Sequence, residues 1–299
     1  MIDYEGTLYR PPSEADSLIL QATIGCSYND CTFCGMYRDK RFRVRPLAEL
    51  EAEIERVRAA RLPVQKVFLA DGDALVARVD FLAALLERLA AAFPDLSRVS
   101  CYASPQSLQV RSVAEMAALR ERGLTTYYVG LESGHDEVLA RLQKGVDAAE
   151  LARVCGKASE AGVKLSTMIL LGAGGRERAG QGKPGSLAHA RASAALVNAI
   201  APRFVSTLVM TPVEGTPLFE EAARGEVEEL TPLELARELR EFLAALAVDG
   251  CIFRSNHASN FLALGGTLAK DQGRLVAALD QVLADPSRAR FRPEWLRGL

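Results

Sequence analysis

The sequence predicts an α/β fold of parallel strands, and three observations carry that expectation. Apolar β-type runs alternate with helical patterns in six successive strand-then-helix units, which implies parallel strands joined by right-handed crossovers. The strand runs are nearly continuous in apolar residues, as expected where both faces of a sheet are covered. With 299 residues, 49% of them hydrophobic, the chain can bury a barrel-sized core. Six units are compatible with either an open doubly wound sheet or an incomplete barrel.

The elements follow in order. Leu18–Ile24 reads as a first strand that runs straight into a cysteine cluster. Pro46–Ala60 has helical periodicity, with Leu47, Leu50, Ile54 and Val57 on one face. Val64–Leu69 is a second strand ending at Asp71-Gly72-Asp73, and Arg78–Phe93 is a helix closed by Pro94. Arg98–Tyr102 is a short third strand, and a helix over Val113–Arg122 stops at Gly123. Thr125–Leu131, rich in β-branched and aromatic residues, is a fourth strand. Helices are expected at His135–Leu142 and Ala148–Ala161, a fifth strand at Val163–Leu171 and a helix at Leu187–Ile200. Phe204–Met210 is a sixth strand and Pro217–Arg224 a short helix. Leu233–Val248 and Leu268–Leu283 read as helices flanking Ile252–Asn260. No Pro/Ser-rich linker separates this last fifth, so residues 1–228 are expected to form the core and 229–299 a helical extension packed on it.

The net charge of −2 and 25% charged residues give no global field that would recruit nucleic acid or an anionic membrane. No apolar stretch reaches membrane-spanning length, and Met1-Ile2-Asp3-Tyr4-Glu5 lacks the basic-then-apolar pattern of a secretory signal. A cytoplasmic protein is the default expectation. In a reducing compartment clustered cysteines usually mean metal or catalysis rather than disulfides.

Three of the six cysteines, Cys26, Cys31 and Cys34, fall within nine residues as C-x4-C-x2-C. Thiolates in this density suit an iron–sulfur cluster or zinc. A structural zinc normally takes four ligands, and the sequence offers no second C-x2-C and no nearby histidine; His135, His189 and His257 lie far along the chain. Three ligands leave an open coordination position. The loop also follows the first strand directly, at the carboxyl ends of the strands, the functional face of parallel α/β folds.

The strand-to-cysteine-loop start, Phe33 just before the last cysteine, and the six βα units resemble the radical SAM superfamily. The resemblance implies an incomplete (β/α)6 TIM-like barrel. It also implies that Cys26, Cys31 and Cys34 hold three irons of a 4Fe–4S cluster, the fourth iron taking S-adenosylmethionine. The family's usual spacing is C-x3-C-x2-C, and here the first gap is one residue longer. On this resemblance Asp71-Gly72-Asp73 stands where a Gly-Gly-Glu-like turn meets the methionyl amino group. Glu132 and Ser133, after the fourth strand, stand at a polar contact to the cofactor, and Met168 and Met210 in the apolar walls beside adenine. The plainer readings are an Asp-Gly turn, a helix start capped by Ser133, and strand core. The implied chemistry is one-electron cleavage of S-adenosylmethionine to a 5′-deoxyadenosyl radical that abstracts hydrogen from a substrate, with flavodoxin or ferredoxin as donor.

Other segments complete the reading. Lys40–Arg45 is expected to be a solvated basic face or, less simply, a contact for the electron donor. Gly182-Lys183 fails as a phosphate loop, because Pro184 follows the lysine. Arg254, Asn256, His257 and Asn260 lie in a polar segment that either reads the substrate or satisfies its own backbone. Cys101 and Cys155 read as buried small hydrophobes. The rival functions are a non-enzymatic protein with a structural zinc or electron-transfer cluster, and an ordinary methyltransferase. The second would need a Gly-rich loop where this chain has cysteines.

Overall fold

The computed structural model describes residues 2–176 and 185–298. The failed phosphate-loop residues Gly182-Lys183, in the Gly-rich stretch after the fifth predicted strand, lie outside the described residues. Among the described residues the main sheet has eight strands, mostly parallel, and is not closed. Its order is β1 (Leu18–Gln21), β4 (Lys66–Ala70), β5 (Arg98–Tyr102), β6 (Leu124–Glu132), β7 (Lys164–Leu171), β8 (Phe204–Val209), β9 (Ile252–Arg254), β10 (Gly265–Thr267). A separate antiparallel pair joins β2 (Thr23–Ile24) to β3 (Arg43–Val44).

The chain divides into two compact units. The first comprises residues 2–29, 36–129 and 154–165. Here β1 pairs in parallel with β4, and β4 with β5, so Leu20, Val67, Phe68 and Leu69 are buried. Helix α1 (Leu47–Ala59) buries Leu50, Ile54 and Val57, α2 (Val79–Ala92) buries Leu82, Leu85, Leu86 and Leu89, and the two helices pack on each other. Both sets recur at three- and four-residue spacing, the stripe an amphipathic helix buries. Helix α3 (Pro105–Val110) was not expected from the sequence; Ser104 caps it, accepting from Ser107 N–H, and six residues are too few for a readable period. Helix α4 (Val113–Glu121) starts with a full capping box between Ser112 and Glu115.

The predicted first strand is broken. Leu18–Gln21 stays in the main sheet, while Thr23–Ile24 pairs with Arg43–Val44. The basic run is therefore largely committed to structure. Lys40 is buried against Asp71, Arg43 pairs with Glu5, and Arg45 reaches Glu53. Only part of it, as at Arg41, is the solvated face expected.

The second unit comprises residues 30–35, 130–153, 166–176 and 185–298. It holds α5 (Asp136–Arg141), α7 (Ser186–Ile200), α8 (Pro217–Ala223), α9 (Pro232–Ala245) and α10 (Gln272–Ala284); α6 (Ala148–Glu160) spans both units. Helix α9 packs between α7 and α10. Residues 229–298 thus belong to the same unit as β7 and β8, and they are not purely helical. They supply β9, parallel to β8, and β10, antiparallel to β9. Three-residue strands, one of them Gly265-Gly266-Thr267, carry too little alternation to be seen in sequence. Among the described residues no helix is long and apolar enough to cross a membrane.

Candidate active site

In the first unit the cysteine loop is stitched to the end of β4. Asp71 N–H donates to Thr23 O and Gly72 N–H to Gly25 O, both at 3.0 Å. The Asp71 carboxylate accepts from Lys40 Nζ at 2.9 Å, from Gln21 Nε2 at 3.2 Å and from Gly25 N–H at 3.0 Å. Asp73 accepts from Ser27 Oγ at 2.5 Å, and from Ser104 Oγ and N–H at 2.6 and 3.1 Å. Burial pushes the Asp73 carboxyl up, and the Ser104 and Ser27 donors pull against it.

Both carboxylates are 0% exposed. A buried carboxylate needs donors, and the loop backbone and its serines supply them. Gly72, between them, is partly exposed and is the residue that permits close approach. A Cβ there would lie 2.6 Å from Tyr37 Cε2 and 2.9 Å from Cys26 Cβ. The long first gap of the cysteine pattern contains Asn29 in the left-handed region (φ 52°), its Nδ2 donating to Tyr37 O at 2.9 Å. Asn tolerates that conformation better than most residues.

In the second unit Cys34 N–H donates to Cys31 O at 3.3 Å, closing a turn. Thr32 N–H reaches Leu142 O at 3.1 Å, and Leu218 N–H reaches Thr32 O at 3.0 Å. Phe33 packs on a cluster of Val138, Leu142, Leu170, Ala173, Met210 and Leu218. Glu132 ends β6 in the left-handed region (φ 64°), a conformation a non-glycine residue holds only where its surroundings impose it. Its Oε1 accepts from Lys144 Nζ at 2.9 Å, and both side chains are 9% exposed. Gly130 makes room for this, since a Cβ there would meet Glu132 Oε1 at 2.0 Å. Burial alone would lower the Lys144 ammonium; Glu132, then Cys31 and Cys34, overcome it and raise the group.

Ser133 is fully buried, and its Oγ accepts from His135 N–H at 2.9 Å. The N-cap of α5 is His135, not Ser133, so the capping alternative does not hold. Met168 is half-buried on β7. Met210 is buried, and beside it lies a small pocket lined by Gly172, Pro212, Leu235, Phe261 and Arg297.

The polar segment divides. Asn260 is buried, its Nδ2 donating to Thr207 O at 2.6 Å and Ser255 Oγ at 3.1 Å. It fastens the segment to β8. Arg254 and Asn256 are exposed. His257 is half-buried with Nδ1 at 2.9 Å from Ser259 Oγ, and burial followed by the Arg292 charge lowers its pKa.

Sequence reasoning missed two groups. Lys144 follows the predicted helix His135–Leu142 and precedes a single glycine, Gly145, a setting that marks no function. The other is a chain of contacts through the buried side chains of Ser193, His189 and Glu238. Gly134 N–H donates to Ser193 Oγ at 3.0 Å, Ser193 Oγ lies 3.3 Å from His189 Nε2, and His189 Nδ1 lies 2.7 Å from Glu238 Oε1. Glu238 Oε2 accepts from Gly172 N–H at 2.8 Å. It ties the backbone beyond β6 to that beyond β7, across residues with no sequence proximity.

Cys26, Cys31 and Cys34 are half-buried, whereas Cys101, Cys155 and Cys251 are buried. Burial pushes the Cys101 thiol well above its ordinary value, Cys155 up to about 12 and Cys251 up to about 11. Only thiolates ligate metals readily, so the chemistry favours the loop cysteines, with the Lys144 cation near two of them. Among the described residues no three His, Cys, Asp or Glu are gathered as ligands of one ion. An iron–sulfur cubane does not demand that gathering, since each thiolate takes a different iron. The loop therefore fits such a cluster: a three-thiolate donor set and a glycine cradle against Cys26.

No curated protein matches the chain. Among solved structures it is similar to methylornithine synthase, PylB (16% identity over 93% of this chain and 74% of that one, TM-score 0.54). It is also similar to Elp3 from the archaeon Methanocaldococcus infernus (16% identity, 82% and 60%, TM-score 0.52). A third is coproporphyrinogen III oxidase, HemN, from Escherichia coli (17% identity, 76% and 52%, TM-score 0.54), described as a radical SAM enzyme. The chain thus spans between about half and three quarters of these proteins, and at such identities the likeness is one of fold. Residues 20–177, over half the chain, match the family model of the radical SAM superfamily, and the chain belongs to that superfamily, whose enzymes use a 4Fe–4S cluster and S-adenosylmethionine.

Proposed function

We propose that Cys26, Cys31 and Cys34 hold the 4Fe–4S cluster of a radical SAM enzyme, leaving one iron for S-adenosylmethionine. The observation that carries this assignment is the division of the thiols: three half-buried in one loop, three buried with raised thiol pKa values. When bound, cluster and cofactor together supply reductive cleavage to a 5′-deoxyadenosyl radical. The chain's own work is binding, orientation and exclusion of water. The partly exposed backbone at Gly72 offers close approach to the cofactor's amino acid end, with Asp71 and Asp73 holding that turn from beneath. Glu132 and the Ser133 turn supply the polar contact after β6, and Met168 and Met210 the apolar walls.

Arg254, Asn256 and His257 are the proposed substrate-facing groups, with Asn260 anchoring their segment. A one-electron donor such as flavodoxin or ferredoxin, and a cytoplasmic location, complete the proposal.

Anaerobic purification and reconstitution test it. The expected result is about four irons and four sulfides per chain, and 5′-deoxyadenosine on adding dithionite and S-adenosylmethionine. Cys31→Ala should abolish deoxyadenosine, while Cys155→Ala should not. Stoichiometric zinc in place of iron, or full turnover by Cys31→Ala, would overturn the assignment.

A further inference from the structure

We propose that Lys144 is a positioning charge for electron entry: its buried ammonium, set against the Cys31–Cys34 turn, makes the cluster easier to reduce, and Glu132 moderates that effect. The inference rests on the proposed assignment of Cys31 and Cys34 as ligands and goes beyond it.

The geometry is local. Thr32, between the two cysteines, donates its N–H to Leu142 O and its Oγ1 to Arg141 O at 3.1 and 3.3 Å, so the turn is bound to the backbone just before Lys144. Lys144 is itself fixed, its N–H donating to Leu139 O at 3.0 Å and its Nζ to Glu132 at 2.9 Å. The side chain is 9% exposed, so water screens its charge weakly.

Reduction adds one electron, and so one negative charge, to a cluster bearing thiolates. A fixed cation nearby stabilises the reduced form more than the oxidised one and raises the potential; an anion does the reverse. A cation fully paired with a carboxylate has part of this effect cancelled, which gives the two residues opposite signs.

The test is a redox titration of the reconstituted cluster followed by electron paramagnetic resonance, without S-adenosylmethionine. Contacts that these side chains make with the cofactor then do not enter. Lys144→Met should lower the midpoint potential, with about a tenfold fall in the reduced-to-oxidised ratio at a fixed ambient potential. Lys144→Arg should restore it, and Glu132→Gln should move it the other way. Should Lys144→Met fail to fold, Glu132→Gln, which keeps size and hydrogen bonding, decides alone. A wild-type protein that assembles no cluster refutes the ligand assignment. A wild-type cluster whose potential is unmoved in the folded variants refutes the role of the charge and leaves the ligands standing.

Discussion

Replacing Gly72 by alanine tests how tightly β4 and the cysteine loop are fitted. The new methyl would stand 2.6 Å from Tyr37 Cε2 and 2.9 Å from Cys26 Cβ. Carbons rest about 3.5–4.0 Å apart, so a displacement of about 1 Å must be shared among the three residues. Tyr37 has little room to give. It is 3% exposed, and its ring meets the edge of Tyr9 at 5.6 Å. Cys26 therefore takes part of the shift, and the metal–thiolate bond proposed for it would tolerate only about 0.2 Å. Overpacking of this kind costs about 1–3 kcal/mol.

A contrasting glycine lies in α6, where a Cβ on Gly156 meets nothing within 4 Å. Gly156→Ala should stabilise by roughly 0.5–1 kcal/mol. Urea denaturation and iron content after anaerobic reconstitution would be measured on both. Gly72→Ala should unfold at lower urea and carry sub-stoichiometric iron; Gly156→Ala should unfold at higher urea with full iron. A Gly72→Ala protein with unaltered midpoint and full iron would refute the argument.

Other consequences follow from the same contacts. Asp73 has its pKa raised in the fold, so folding favours its protonated form, and its ionisation costs stability as pH rises above the ordinary carboxylate range. Asp73→Asn should flatten that decline, as read by urea midpoints at a series of pH values; an unchanged slope would count against it. Glu238→Ala leaves both His189 Nδ1 and Gly172 N–H without their carboxylate, and at about 1–3 kcal/mol for each stranded group the thermal midpoint should fall sharply. Asn260→Ala removes the donor to Thr207 O and should cost about 1–3 kcal/mol, whereas Asn256→Ala, at an exposed position, should change stability by no more than about 0.5 kcal/mol. Equal losses from the two would contradict the division of that segment.

Much of the framework was legible because it rests on local periodicity. The apolar stripes of α1 and α2 and the runs of β4, β6 and β7 are visible in the sequence, and the structure forms them within a residue or two. The cysteine loop was legible because its residues are close in sequence. What was hidden depends on partners far along the chain. Asp71 is paired in the interior with Lys40, 31 positions before it, and nothing local in the sequence marks that partner. Asn260 meets Thr207 across 53 positions and Glu238 meets His189 across 49, pairings that no local pattern marks. Strand β9 became a strand only because β8 offers it an edge, with Phe204 opposite Ile252.

That last pairing bears on how the chain could be shortened. Cutting after residue 228 would strip β8 of one of its two neighbours and bare the backbone groups of Phe204, Val205 and Ser206 that now face Ile252, Phe253 and Arg254. An open, apolar strand edge invites another molecule to add to it. The carboxyl-terminal segment is therefore not a module to be trimmed or exchanged at will. Any change at Arg254 is made on the strand that covers the β8 edge.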